Sequence, residues 1–130
     1  HGTGHGVGYL LNVHEGPNSF RWKIVPGGNA VLEEGMITSD EPGYYREDGF
    51  GIRHENLMVC KKAEKTEYGQ FMCFEFLTMV PFDLDGVVPE LMSVRERNLL
   101  NDYHVQVYEK ISPYLDEEER EWLKDATRAI

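Results

Sequence analysis

The sequence predicts an α+β fold in which a curved antiparallel sheet precedes C-terminal helices. Three observations lead there. Short β-like runs bounded by turn residues occupy residues 35–80, and apolar residues recur at helical spacing after Ser93. The opening stretch, HGTGHGVG, carries a glycine at every second position and suits neither a helix nor a regular core strand. At 130 residues the chain is long enough for one domain with a sizeable core, since a chain near this length buries roughly two-thirds of its unfolded surface.

Residues 7–14, VGYLLNVH, read as a short strand or edge segment after the glycine-rich turn. Residues 15–28 include Gly16, Pro17, Asn18, Ser19, Pro26, Gly27 and Gly28 and read as loop, with Trp22, Ile24 and Val25 available to dock it onto a core. Gly35 to Ser39 is a first β-like run leading into the turn Asp40-Glu41-Pro42-Gly43. Residues 52–61 read as one strand, with Ile52, Leu57, Val59 and Met58 as its apolar surface, and residues 71–80 as another. KKAEKTEYGQ between them reads as a solvated hairpin loop. Ser93 and Glu96 form a capping-box pair ahead of a helix whose core positions are Leu99, Leu100, Tyr103, Val107 and Ile111. Pro113 falls near its end, and Asp116 with Glu119 repeats the cap before a final helix bearing Trp122 and Leu123. This tail reads as packing surface.

Asp and Glu outnumber Lys and Arg by 23 to 13, a formal charge of −10. That balance argues against a nucleic-acid surface, which needs a basic patch, and accommodates a metal site. Cys60 and Cys73 show neither CxxC nor zinc-finger spacing and read as two buried, reduced thiols of a cytoplasmic protein. No apolar run approaches the ~18 residues of a membrane span, and no signal segment is visible.

The candidates for chemistry lie in three stretches. His1 and His5 are four residues apart and His14 nine further on; in glycine-rich surroundings they read first as hydrogen-bonded loop histidines and second as metal ligands. In SDEPGYY, residues 39–45, Pro42 holds Glu41 extended, which either fixes a carboxylate at a strand end or makes an ordinary turn. In GFGIRHENL, residues 49–57, Arg53 and Glu55 share one face of a strand, as a ligand held by its counter-ion or as an exposed ion pair. No GxSxG, phosphate loop or dinucleotide fingerprint occurs.

Taken in order, HGTGHGVG, NVHEGP, EGMITSDEPGYY, GFGIRHENL and FEFLTMVPFD resemble the C-terminal half of the catalytic domain of the Xaa-Pro aminopeptidases. These share a "pita-bread" metallopeptidase fold with prolidase and methionine aminopeptidase. The resemblance runs over residues 1–130 and implies half of that fold, with the other half upstream. It implies His5, Glu41 and Glu55 as metal ligands, Glu41 doubling as general base and Glu55 bridging two ions. It implies His1 and His14 as catalytic and substrate-contacting histidines, and Arg53 as the arginine that orients the site. Two divalent ions, manganese first and cobalt, zinc or iron after it, would hold a bridging hydroxide. The substrate would be a peptide with proline at its second position.

Two further aspartate ligands of the family have no counterpart in order here, so the chain supplies three of five and is expected to be inactive alone and to bind metal weakly or not at all. The uncovered face is expected to drive homodimerisation. His54 and Phe76 depart from the family pattern, which has an aliphatic residue and a proline there. A prolidase-type Xaa-Pro dipeptidase and a non-catalytic peptide- or protein-binding module are the competing readings.

Overall fold

In a computed structural model the described residues are 2–10, 12–24 and 30–130, and the chain divides into two compact units, His1–Thr78 and Met79–Ile130. His1 and Val25 lie outside the described residues.

The first unit is built of short antiparallel strands. β1 (Gly4–His5) pairs with β2 (Ser19–Phe20). β3 (Ile37–Asp40), β6 (Asn56–Thr66) and β7 (Gly69–Phe76) form a three-stranded sheet in the order β3-β6-β7. β4 (Gly43–Tyr45) and β5 (Gly51–Arg53) form a hairpin. β1 is laid against β3 by a bridge between Gly6 and Thr38, and the Phe20 ring meets Phe74 of β7 edge-on, with centroids 5.6 Å apart.

Several details depart from expectation. The N-terminal strand is Gly4–His5 rather than residues 7–14, where the Gly8 N–H donates to the Asn12 carbonyl and Leu11 lies outside the described residues. Trp22 and Ile24 are exposed rather than docked onto a core. The single strand expected over 52–61 is two strands, because the His54 N–H donates to the Pro42 carbonyl and the chain breaks between β5 and β6. In β6 the buried side chains are Asn56, Met58 and Cys60, so Met58 takes the core and Leu57 and Val59 lie on the half-buried side. Ile52 is exposed on its own hairpin. The expected hairpin loop is mostly strand: β6 runs to Thr66 and the turn is only Glu67-Tyr68, with Gly69 at φ +129°, backbone that favours glycine. A register shift between Lys62 and Lys65 absorbs one irregularity. Cys60 is buried as expected, but Cys73 is exposed.

The second unit follows the sequence closely. α1 (Val94–Ile111) starts at a complete capping box formed by Ser93 and Glu96, and α2 (Glu117–Ala126) at another formed by Asp116 and Glu119. Each cap satisfies backbone N–H groups that the first turn leaves without partners, worth about 0.5–2 kcal/mol. A short 3-10 turn at Ser112–Tyr114, with Pro113 inside it, separates the helices. Tyr103, Val107 and Leu123 are the buried core, with Leu100 and Ile111 packed against it. Leu99 and Trp122 are exposed instead.

His104, unremarked in the sequence, is fully buried beside this core. Its Nε2 accepts the Phe82 N–H at 3.0 Å, which requires that nitrogen to be unprotonated. Burial pushes the imidazole below its ordinary value, and the nearby Arg128 backbone only partly offsets this. The unfolded chain therefore takes up a proton near pH 6.5 that the folded unit refuses. Stability is expected to be full above that pH and to fall as pH drops below it, by at most about 1.4 kcal/mol per unit. His104→Gln should flatten this part of the profile below about pH 6.5, as read by urea unfolding at a series of pH values. An unchanged slope would show that His104 does not carry it.

Candidate active site

β1 holds His5, and the backbone that surrounds it explains the glycines. A Cβ at Gly4 would overlap the Ser39 carbonyl oxygen and come within 2.8 Å of the Phe20 ring, so only glycine lets β1 lie this close to β3. Asn18 closes the other side. It is buried, accepts the Gly6 N–H on its backbone at 2.8 Å, and donates its side-chain amide to the Ile37 carbonyl and the Thr38 hydroxyl.

β3 delivers Glu41. The residue after the strand is kept extended by Pro42, and its N–H donates to the Thr3 carbonyl at 2.6 Å. Its carboxylate is buried, with 9 % of the residue exposed. Ser39, also fully buried, ties the two elements together. Its hydroxyl accepts the His5 N–H at 3.0 Å and donates to Glu41 Oε1 at 3.1 Å.

Glu41 Oε1 faces His5 Nε2 at 3.0 Å. The other ring nitrogen, Nδ1, stands 2.9 Å from the Gly6 carbonyl, which can only accept, so Nδ1 carries the proton. That leaves Nε2 aimed at a carboxylate oxygen. Two electron-pair donors at this distance repel unless a proton or a cation lies between them. A hydrogen bond from Nδ1 to a carbonyl is also the usual way in which a ligating histidine is oriented.

The β4–β5 hairpin returns Arg53 to the same place. Its Nε lies 3.4 Å from Glu55 Oε2 and 3.9 Å from Glu41 Oε2. Arg53 and Glu55 do meet, but not as neighbours on one strand face: Arg53 ends β5 and Glu55 lies in the break before β6. The His14 ring sits 4.3 Å, centroid to centroid, from that of His5. The structure thus gathers His5, His14, Glu41, Arg53 and Glu55 from four separate stretches of chain.

A pocket of about 430 Å³ opens among His5, His14, Glu41 and Arg53, with Gly2, Gly4 and Arg21 completing its wall. Sequence reasoning missed Arg21, Ser39 and Asn18. Arg21 fell in a stretch read as loop, and the other two act through partners far away in sequence.

The donor set is one imidazole and two carboxylates, chemistry that suits a hard or borderline divalent cation. Among the described residues no group of three His, Cys, Asp or Glu is close enough to hold an ion unaided. The residues fit part of a metal site, with further donors required. No helix among the described residues is long and apolar enough to cross a membrane.

Known proteins bear on this geometry. Residues 1–62 match metallopeptidase family M24, and residues 70–130 match the C-terminal region of peptidase M24. A probable Xaa-Pro aminopeptidase P of Arthroderma otae is 45% identical over the whole of this chain, which spans 22% of that protein. Aminopeptidase P2 of Arabidopsis thaliana is also 45% identical, over all of this chain and 19% of its own length. Among solved structures, an X-prolyl aminopeptidase from Caenorhabditis elegans, described as cytosolic with a di-nuclear active site, superposes on all of this chain with a TM-score of 0.85 at 35% identity. The chain covers 22% of that structure. The expected fold, part of a pita-bread domain, is confirmed by that superposition.

Gly4→Ala is expected to push β1 away from β3 and destabilise the first unit by about 1–3 kcal/mol, the usual cost of overpacking. Urea unfolding measures this. A neutral substitution would mean that the two strands are not in the close contact described.

Proposed function

We propose, from the premise that this chain belongs to metallopeptidase family M24, that it forms part of the active site of an Xaa-Pro aminopeptidase. Such an enzyme releases the first residue of peptides with proline in second place. The observation that carries the reading is His5 Nε2 directed at Glu41 Oε1 across 3.0 Å, with Nδ1 committed to a carbonyl. Although Oε1 also receives the Ser39 hydroxyl, the two lone pairs repel unless something positive lies between them.

His5, Glu41 and Glu55 would hold the site's two divalent ions together with donors from outside this chain. Bound there, the ions supply Lewis-acid polarisation of the scissile carbonyl and lower the pKa of water. Manganese is our choice from the oxygen-rich donor set, ahead of cobalt, zinc and iron. Glu41 takes the proton of the attacking water on Oε2, because Oε1 already receives the Ser39 hydroxyl. Ser39 fixes the plane of that carboxylate. Arg53 lies between Glu55 and Glu41 and orients both carboxylates. His14, its ring tilted against that of His5, lines the pocket where the peptide carbonyl would sit; His1 is assigned a like role from the sequence resemblance alone. The cytoplasmic location is carried over from the worm relative's description.

Hydrolysis of an Xaa-Pro-Xaa tripeptide tests this in a longer protein containing these residues and in the 130-residue chain side by side. The longer protein is expected to be inactivated by chelation and restored by manganese, and the chain alone to be silent. Glu41→Gln should lower kcat about 10²–10⁴-fold, the range of a lost general base. Full activity of that variant would remove Glu41 from the mechanism. The expected homodimer rests on the exposed Tyr44, Tyr45, Phe50 and Ile52 of the β4–β5 hairpin. Light scattering of the chain at rising concentration should show a doubled mass, and a constant monomer mass would refute it.

A further inference from the structure

Arg21 stands apart from every other cation of the site. Its side chain lines the 430 Å³ pocket with His5, His14, Glu41 and Arg53, and also the adjoining cavity of about 260 Å³. Arg53 is committed to two carboxylates. Arg21 has no ion pair or hydrogen bond among the described residues, although the chain carries ten more acidic than basic side chains. The acid that lines the smaller cavity, Glu15, is already engaged by the Asn12 amide at 3.1 Å. A guanidinium is a planar, permanently charged fork suited to taking a carboxylate through two parallel hydrogen bonds.

We propose that Arg21 is a specificity-determining residue that binds a carboxylate of the peptide beyond the scissile bond. The inference deepens the proposed function and rests on it. A pocket of this size lies at the lower end of the range for small-ligand sites, roughly 300–1,000 Å³, with room beside Arg21 for the end of a short peptide. Two sources share this chemistry: the C-terminal carboxylate of a tripeptide, and an acidic side chain at the third position. In either case the arginine contributes no proton transfer. It selects the substrate by anchoring its far end, and favours short or acidic peptides over long neutral ones.

Equilibrium binding in the presence of a chelator, where no hydrolysis occurs, separates the cases. The probes are Ala-Pro-Ala, its C-terminal amide, and Ala-Pro-Glu amide, against the longer protein containing these residues and its Arg21→Gln variant. The free acid is expected to bind about five- to tenfold tighter than the amide, and Arg21→Gln to erase that difference. Rescue of the amide by the glutamate side chain would identify the side chain as an accepted source, and no rescue would restrict the site to the chain terminus. Arg21→Lys should recover part of the preference, as a point charge without the fork. Equal binding of acid and amide, or a preference that survives Arg21→Gln, overturns the proposal. If manganese-dependent hydrolysis persists in that event, the aminopeptidase reading stands and only the role of Arg21 falls.

Discussion

The backbone of β1 lies against β3 so closely that no side chain fits at Gly4, and Ser39 sits at the seam, bonded to His5 on one side and to Glu41 on the other. Two residues thirty-six positions apart in sequence are thereby fixed with a side-chain separation of 3.0 Å. Everything else in the site is arranged around that pair. The hairpin brings Arg53 to the far oxygen of Glu41, and the turn after β1 lays His14 beside His5. Pro42 and the Thr3 carbonyl hold the Glu41 backbone from both directions. Loss of the seam would separate an imidazole and a carboxylate that have no other reason to approach.

That arrangement is electrostatically unfinished. A buried carboxylate needs compensation, and Glu41 has one hydroxyl, a partly exposed arginine at 3.9 Å and an imidazole presenting its lone pair. Arg53 is shared with Glu55, so its charge is divided between two acids. A cation at this point relieves both the repulsion and the burial cost at once. The chemistry of these few side chains is thus compatible with metallopeptidase family M24, which residues 1–62 match.

The helical third was legible because its signals are local. A capping box spans four residues, and both boxes are present where Ser93 and Asp116 announce them. The sheet was legible only in outline. Apolar runs located β3, β6 and β7, but the pleat of β6 puts Met58 and Cys60 inward and leaves Leu57 and Val59 at half burial. Register decides this, and register is set by partners elsewhere in the chain. In the site, His5, His14, Glu41, Arg53 and Glu55 were readable through the motif resemblance. Arg21, Ser39 and Asn18 were not, because nothing in their immediate neighbours distinguishes them from loop and strand residues. Their roles arise from the approach of β1 and its following loop to β3.

The two units differ in what holds them. In the second, Tyr103, Val107 and Leu123 form a conventional apolar core with its helices capped at both starts. In the first, the buried residues include Met58 and Cys60, but also Asn18, Thr38, Ser39, Glu41 and Asn56. A polar interior of this kind gains little from the hydrophobic effect and depends on each hydrogen bond being made. Ligation of the His5–Glu41 pair would then add its free energy directly to the stability of the strands that present it, since the unfolded chain offers no such pair. Ser39 would transmit that coupling, since its hydroxyl bonds the His5 backbone N–H and the Glu41 carboxylate across the seam between β1 and β3.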